Sequence, residues 1–179
     1  EKVEGLVADD RVKAATLTGS ERAGSSVAAL AGQHIKKTVL ELGGSNSFIV
    51  WEDADMDQAV ETGVTARMMN SGQSCIAAKR FILVGDAYDK FLPAFQEKIQ
   101  ELKSGDPMDE STDVGPLART DLAEKLESQV QESVEKGAEL LMGGERDDAY
   151  YAPTILTNVQ PGMPAFDEEL FGPVASFVR

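Results

Sequence analysis

The hydrophobic positions of this 179-residue chain follow two periods, one typical of strands and the other typical of helices. Short apolar runs predict strands. They are VKAATLTGS (12–20), TVLELGG (38–44), SFIVW (47–51), RFILV (80–84), AELLMGG (138–144), YAPTILTNV (151–159) and VASFV (174–178). Between several of these runs lie longer stretches in which apolar residues recur every three or four positions, and these predict helices.

The predicted helices carry recognisable start and stop signals. Asp55 is a candidate N-cap for a helix that ends near Asn70 and Gly72, and Asp86 is a candidate cap for the next helix. Pro93 lies inside that second helix and predicts a kink or a later start. A third helix has Leu122, Leu126, Val130 and Val134 along one face.

Strands separated by helices of this length predict an α/β fold, in which a parallel or mixed sheet is covered by helices. The chain stops within its last predicted strand, so we expect that strand to leave an open sheet edge. The first residues, EKVEGLVADD, contain neither an initiator Met nor a signal-peptide pattern. Both ends therefore look cut, and we expect an internal fragment of a longer protein.

Composition excludes several classes of function. The chain has 17 basic and 31 acidic residues, a net charge of −14 that would repel phosphate backbones, so we expect no nucleic-acid partner. No apolar run approaches the roughly 18 residues of a membrane helix, so we expect no membrane association. One cysteine cannot form an internal disulfide, which favours a reducing, cytoplasmic location. A single His and a single Cys also predict no zinc or other soft-metal site.

The strongest candidate for chemistry is Cys75, in NSGQSCIAAKR (70–80). A free cysteine is often a small buried hydrophobe, but Cys75 lies in a predicted connection, where functional groups concentrate. Free thiols have a pKa of about 8.5, so a nucleophilic one needs a base or a lowered pKa.

Two residues are candidates for that base. His34, the only histidine, lies near the end of a small-residue helix, where a surface role is expected. Glu41 interrupts an apolar strand just before two glycines, which allow a ligand to approach closely. It is either a solvent-facing strand residue or a carboxylate placed at a strand end, and the residues alone leave both open.

Two further stretches give weaker signals. GSERAG (19–24) joins a strand to a helix and can present N–H groups to a phosphate, but it matches neither Walker A nor G-x-G-x-x-G. EELFGPV (168–174) is equally compatible with a polar turn that leads into a strand.

In combination, these stretches are far more specific. TLTGSERAG, LELGGSNSFIV, NSGQSCIAAKR, KSGDPMDESTDVGPL, YAPTIL and EELFGPV, in this order, resemble the consecutive signatures of the aldehyde dehydrogenase superfamily. Within that superfamily, the sequences of these stretches are most similar to those of the bacterial succinate-semialdehyde dehydrogenase branch. The resemblance implies that residues 1–43 end a dinucleotide-binding domain, and that residues 44–179 form a catalytic domain truncated at its C-terminus.

The resemblance also implies a reaction and the residues that perform it. An aldehyde, with succinate semialdehyde the expected one, would be oxidised to its acid with NAD or NADP by a homo-oligomeric protein. Cys75 would attack the aldehyde to give a thiohemiacetal and then a thioester, and Glu41 would activate the water that releases the acid. The implied cofactor-binding residues are Gly19, Ser20, Leu42, Gly43, Glu169 and Phe171. Glu169 would hold the nicotinamide-side ribose.

This chain also departs from the family pattern. Family members are far longer, and the segments with a second oxyanion donor and with the lysine for the adenine ribose are missing here. We therefore expect the isolated chain to be inactive. Three alternatives stay open: a thiol hydrolase or transferase that pairs Cys75 with His34, a non-catalytic fragment that keeps the fold, and a family member that passes the thioester to coenzyme A.

Overall fold

The computed structural model describes residues 2–179. The chain divides into two compact units, the first ending at Gly44 and the second spanning Ser45–Arg179. The division falls beside the predicted boundary after residue 43. The assignment of the two parts to a cofactor domain and a catalytic domain stays a prediction.

The first unit contains two helices and a two-stranded parallel ribbon. Its elements are α1 (Lys2–Ala8), β1 (Ala14–Gly19), α2 (Glu21–Gln33) and β2 (Lys37–Leu42). Gly19 lies opposite Leu42 in the ribbon. A Cβ atom on Gly24 would lie 2.6 Å from a methyl carbon of Leu42, so the absence of a side chain at Gly24 lets α2 pack closely on β2.

The second unit is built on a five-stranded mixed sheet. Its elements are β3 (Asn46–Val50), α3 (Met56–Met68), a 3-10 turn (Met69–Gly72), β4 (Ala78–Leu83), α4 (Ala87–Gln100), α5 (Thr120–Glu135), β5 (Glu139–Met142), β6 (Arg146–Asp147), β7 (Tyr150–Tyr151), β8 (Thr154–Thr157), α6 (Pro164–Asp167) and β9 (Val174–Val178). The strand order is β3-β4-β9-β8-β5, and only β5 runs antiparallel to its neighbour. Strands β6 and β7 pair separately as a small antiparallel ribbon. The predicted α/β class, with a mixed sheet, is confirmed.

The prediction of an open edge at the last strand is wrong. β9 lies in the middle of the sheet, where Ser176 pairs with Arg80 of β4 on one side and with Leu156 of β8 on the other. The run VASFV is almost continuously apolar and its first four residues are buried, as is typical of a strand covered on both faces. The sheet edges are β3 and β5 instead.

Of the two predicted helix caps, the one at Asp55 is confirmed and the one at Asp86 is wrong. Asp55 caps α3 as predicted, because its Oδ1 accepts a hydrogen bond from the Gln58 N–H at 3.1 Å. Asp86 precedes α4 but makes no side-chain capping bond, and α4 begins before Pro93 and continues through it. The buried residues Phe91 and Phe95, on either side of the proline, hold this helix on the core.

Helices cover both faces of the sheet. On one face, Phe81 of β4 stacks on Phe177 of β9 with ring centroids 5.1 Å apart, and the aromatic rings of α4 complete the cluster. Val174 belongs instead to a second core that α5 closes through Leu126. Because successive strand residues point to opposite faces, Val174 and Phe177 place the two cores on opposite sides of the sheet.

The 3-10 turn after α3 has an unusual backbone. Asn70, Ser71 and Gly72 all have left-handed conformations, with φ values of 55°, 53° and 71°. This region costs a non-glycine residue of order 1–2 kcal/mol. Hydrogen bonds offset the cost: the Ser71 hydroxyl donates to the Gly115 carbonyl at 2.9 Å, and the Asn70 amide donates to the Gln73 carbonyl at 3.0 Å.

Substitution of Gly72 tests whether close packing requires a glycine in this turn, or whether its left-handed backbone conformation alone does. A Cβ at Gly72 would overlap the Gly172 carbonyl, whereas Gly162, also left-handed with φ 94°, has open space around it. We expect Gly162→Ala to lower the free energy of unfolding by about 1–2 kcal/mol through φ strain alone. Gly72→Ala should cost about 1–3 kcal/mol more through overpacking, as measured by urea denaturation. Equal losses for the two variants would contradict the packing role.

Candidate active site

Cys75 lies on the short connection between the left-handed turn and β4, and its side chain is exposed. The Ala77 N–H donates to the Ser74 carbonyl at 3.2 Å, which closes a tight turn around Cys75 and Ile76. The interpretation of Cys75 as a buried small hydrophobe is therefore wrong. An exposed thiol at the start of a buried strand is accessible on a well-anchored backbone.

Side chains from two strands fix the carbonyl groups of this turn. The Asn46 amide donates to the Cys75 carbonyl at 3.2 Å, and the Lys79 ammonium donates to the Ser74 and Cys75 carbonyls at 3.0 Å each. Among residues 2–179, no acceptor receives a hydrogen bond from the Cys75 N–H. That N–H is available to an oxyanion on a ligand bound at the thiol.

A buried charge cluster lies behind the turn. The Lys79 side chain is 2% exposed, and its Nζ lies 3.0 Å from Oε1 of Glu169, whose side chain is 25% exposed. Burial lowers the pKa of Lys79, while the negative charge of Glu169 opposes that shift. Burial also lowers the pKa of Arg67 to about 10, again against the charge of Glu169. One carboxylate therefore compensates two buried cations.

Arg67 connects this cluster to the left-handed turn. Its Nη2 donates to the Gly72 carbonyl at 2.5 Å, and the residue is fully buried. Sequence reasoning missed the roles of Arg67 and Lys79. A signal was present for Arg67, because it lies one helical turn after Val64 on the buried face of α3, where a charge requires a polar partner.

Phe171 lies at a cleft of about 550 Å³ formed with the left-handed turn and residues 107–118. The Gln73 side chain closes one side of it by accepting a hydrogen bond from the Ala118 N–H at 2.9 Å. The EELFGPV segment that carries Phe171 is held from α5, where the Gln129 amide donates to Glu168 Oε2 at 2.7 Å. The structure thus brings Cys75 and Glu169 together through Lys79, and places Phe171 beside the turn that precedes Cys75.

The remaining predicted site residues lie together in the first unit. Gly19 and Leu42 face each other at the carboxyl ends of β1 and β2, Glu41 pairs with Thr18, and Gly43 follows directly. Ser20 caps α2 by accepting a hydrogen bond from the Ala23 N–H at 3.3 Å. The carboxyl ends of parallel strands are where open α/β sheets bind ligands. Glu41 is exposed there, whereas Leu42 packs on Gly24. The roles of these residues stay predictions.

His34 follows α2 as its C-cap and is exposed, so the predicted surface position is confirmed. Within residues 2–179, no three His, Cys, Asp or Glu side chains are grouped so that they could hold a metal ion. None of the helices in that range combines the length and the apolar character needed to cross a membrane.

Comparison with known proteins gives a consistent result. All 179 residues match the sequence model of the aldehyde dehydrogenase family. The chain is 54% identical over 180 residues to an NADP(+) succinate-semialdehyde dehydrogenase of Mycobacterium avium, covering 99% of this chain and 38% of that protein. A relative of the same name from Mycobacterium tuberculosis is 52% identical, with 99% and 39% covered.

Solved structures agree with the sequence relatives. Succinate-semialdehyde dehydrogenase from Burkholderia pseudomallei superposes with a TM-score of 0.95 at 34% identity, covering 99% of this chain and 37% of that one. An NAD-dependent aldehyde dehydrogenase from Sinorhizobium meliloti gives 0.95 at 36% identity, with 98% and 36% covered. The chain spans about 38% of the length of the curated relatives that it matches. It belongs to the aldehyde dehydrogenase family.

Proposed function

We propose that a protein of the relatives' full length that contains these residues oxidises an aldehyde to the carboxylic acid, with Cys75 as the nucleophile. The observation that carries the proposal is the exposed thiol of Cys75 on a turn whose carbonyls are fixed from Asn46 and Lys79. The names of the Mycobacterium relatives favour succinate semialdehyde as the substrate and NADP as the hydride acceptor, with NAD the alternative.

The residues present fit a dinucleotide. Gly19 and Ser20 lie at the N-terminus of the 13-residue helix α2, where free N–H groups and the helix dipole favour a phosphate. Glu169 offers a partly exposed carboxylate, which accepts hydrogen bonds from ribose hydroxyls. When bound, the oxidised nicotinamide accepts a hydride from the carbon that is attached to Cys75.

The first chemical step forms a bond between the sulfur of Cys75 and the aldehyde carbon. The thiolate attacks, and the carbonyl oxygen becomes an oxyanion that accepts a hydrogen bond from the free Cys75 N–H. Loss of hydride from that carbon leaves a thioester. Glu41 then takes a proton from water, the water oxygen attacks the thioester carbon, and the carbon–sulfur bond breaks to release the acid and the thiolate.

Replacing the nucleophile tests the first step. We expect Cys75→Ser in the full-length protein to abolish aldehyde oxidation while binding of the cofactor survives, because a hydroxyl is a much weaker nucleophile than a thiolate. His34→Ala is the matched control and should retain turnover. Turnover of Cys75→Ser within about tenfold of the parent, only about 1.4 kcal/mol of barrier, would refute the assignment. A loss of several orders of magnitude in His34→Ala alone would favour the hydrolase alternative.

Replacing the base separates the two halves of the reaction. We expect Glu41→Gln to slow release of the acid more than hydride transfer, since the base is needed to activate water. Stopped-flow absorbance should show a burst of reduced cofactor followed by slow turnover. Loss of the burst itself would assign Glu41 an earlier role. If release of the acyl group from Cys75 is accelerated by coenzyme A and does not proceed with water, the result would favour the thioester-transfer alternative.

A further inference from the structure

The ammonium group of Lys79 is surrounded by three oxygen atoms that belong to two different parts of the proposed site. Nζ lies 3.0 Å from the carbonyl oxygens of Ser74 and Cys75, and 3.0 Å from the carboxylate of Glu169. Two of the three N–H donors of the ammonium hydrogen-bond the backbone carbonyls, and the carboxylate of Glu169 is held as an ion pair. Lys79 therefore joins the backbone of the nucleophile turn to a carboxylate 90 positions further along the chain.

Packing alone does not explain a lysine at this position. Burying an ammonium costs free energy unless the charge is paired, and a Met side chain of similar length would fill the space without that cost. The neighbouring cation, Arg80, is directed elsewhere: its guanidinium donates to the Ser45 carbonyl at 2.8 Å and lies over the ring of Phe166. Lys79 is thus the cation that β4 contributes to the Cys75 turn.

The charges around Lys79 make this link sensitive to what contacts Glu169. Arg67 is fully buried, and its Nε and Nη1 have no hydrogen-bond partner among residues 2–179. The negative charge of Glu169 opposes the lowering of the pKa by burial for both Arg67 and Lys79. A ligand hydroxyl that donates to Glu169 would compete with Lys79 for the same carboxylate.

We propose that Lys79 is a positioning residue that couples the Cys75 turn to the Glu169 carboxylate. The inference rests on the proposed function, in which Glu169 receives the ribose of the cofactor and Cys75 attacks the aldehyde. Because coupling between two sites is reciprocal, binding of the cofactor at Glu169 changes the reactivity of Cys75, and the state of Cys75 changes the affinity for the cofactor. Lys79 does not itself touch the reacting atoms.

The test measures Cys75 reactivity separately from turnover. The full-length protein is alkylated with iodoacetamide, a neutral reagent, with and without saturating NADP, and the rate at Cys75 is read by peptide mass spectrometry. In the parent protein we expect the cofactor to change this rate about fivefold or more. In Lys79→Met the ratio should fall to near one, and kcat should drop by up to about 10²-fold through misplacement of the thiol.

Two further variants keep the result decisive. Lys98→Met removes a lysine that pairs with Glu101 on the exposed face of α4, and it should retain the parent ratio and kcat. Glu169→Gln leaves Lys79 in place and should also bring the ratio of Cys75 alkylation rates with and without NADP to near one. This variant tests the coupling if Lys79→Met does not fold. A parent ratio near one, or a ratio that persists in a folded Lys79→Met or Glu169→Gln, overturns the coupling. Failure of the proposed function would appear instead as retained turnover in Cys75→Ser.

Discussion

Two buried cations that share one carboxylate fix the backbone around Cys75. Arg67 holds the Gly72 carbonyl from α3, and Lys79 holds the Ser74 and Cys75 carbonyls from β4. The negative charge of Glu169 offsets part of the cost of burying both cations. The path of the chain from the left-handed turn to the thiol therefore depends on an ion cluster and not on backbone preference alone, since Ser71 adopts a conformation that it disfavours.

The sheet order makes this cluster possible. Glu169 lies shortly before β9 in the chain, and β9 pairs directly with β4, which carries Lys79. The aromatic cluster of Phe81 and Phe177 holds these two strands together, since their rings stack across the strand pair. Two segments 90 residues apart in sequence thus meet at one point, and the interior position of β9 is what brings the carboxylate to the turn.

Much of this arrangement could be predicted from the sequence, because it depends on local signals. Apolar periodicity predicted most strands and the three long helices of the second unit, the Asp55 side chain marked a helix start, and loop-forming residues placed Cys75 in a connection. The interior position of β9 could not be predicted, since strand order depends on pairing between distant segments. The apolar run VASFV was nonetheless a signal that both of its faces are covered.

The buried cations were harder to predict, for a physical reason. Lys79 and Arg67 are charged residues at buried positions, and the carboxylate that stabilises them lies about 90 and 100 positions away in the chain. No local pattern indicates such a partner. The left-handed conformation of Ser71 was missed for a related reason, because the Ser71 hydroxyl is held by the carbonyl of Gly115, on a distant loop.

The proposed reaction proceeds through a covalent bond to Cys75. Rapid acid quenching of the full-length protein during turnover of succinate semialdehyde with NADP preserves a thioester, and peptide mass spectrometry then locates the acyl group. The proposed mechanism predicts that the acyl group is found on the peptide that contains Cys75, with a population that decays as the acid appears. An acyl group on another residue, or turnover with no covalent adduct at Cys75, would contradict it.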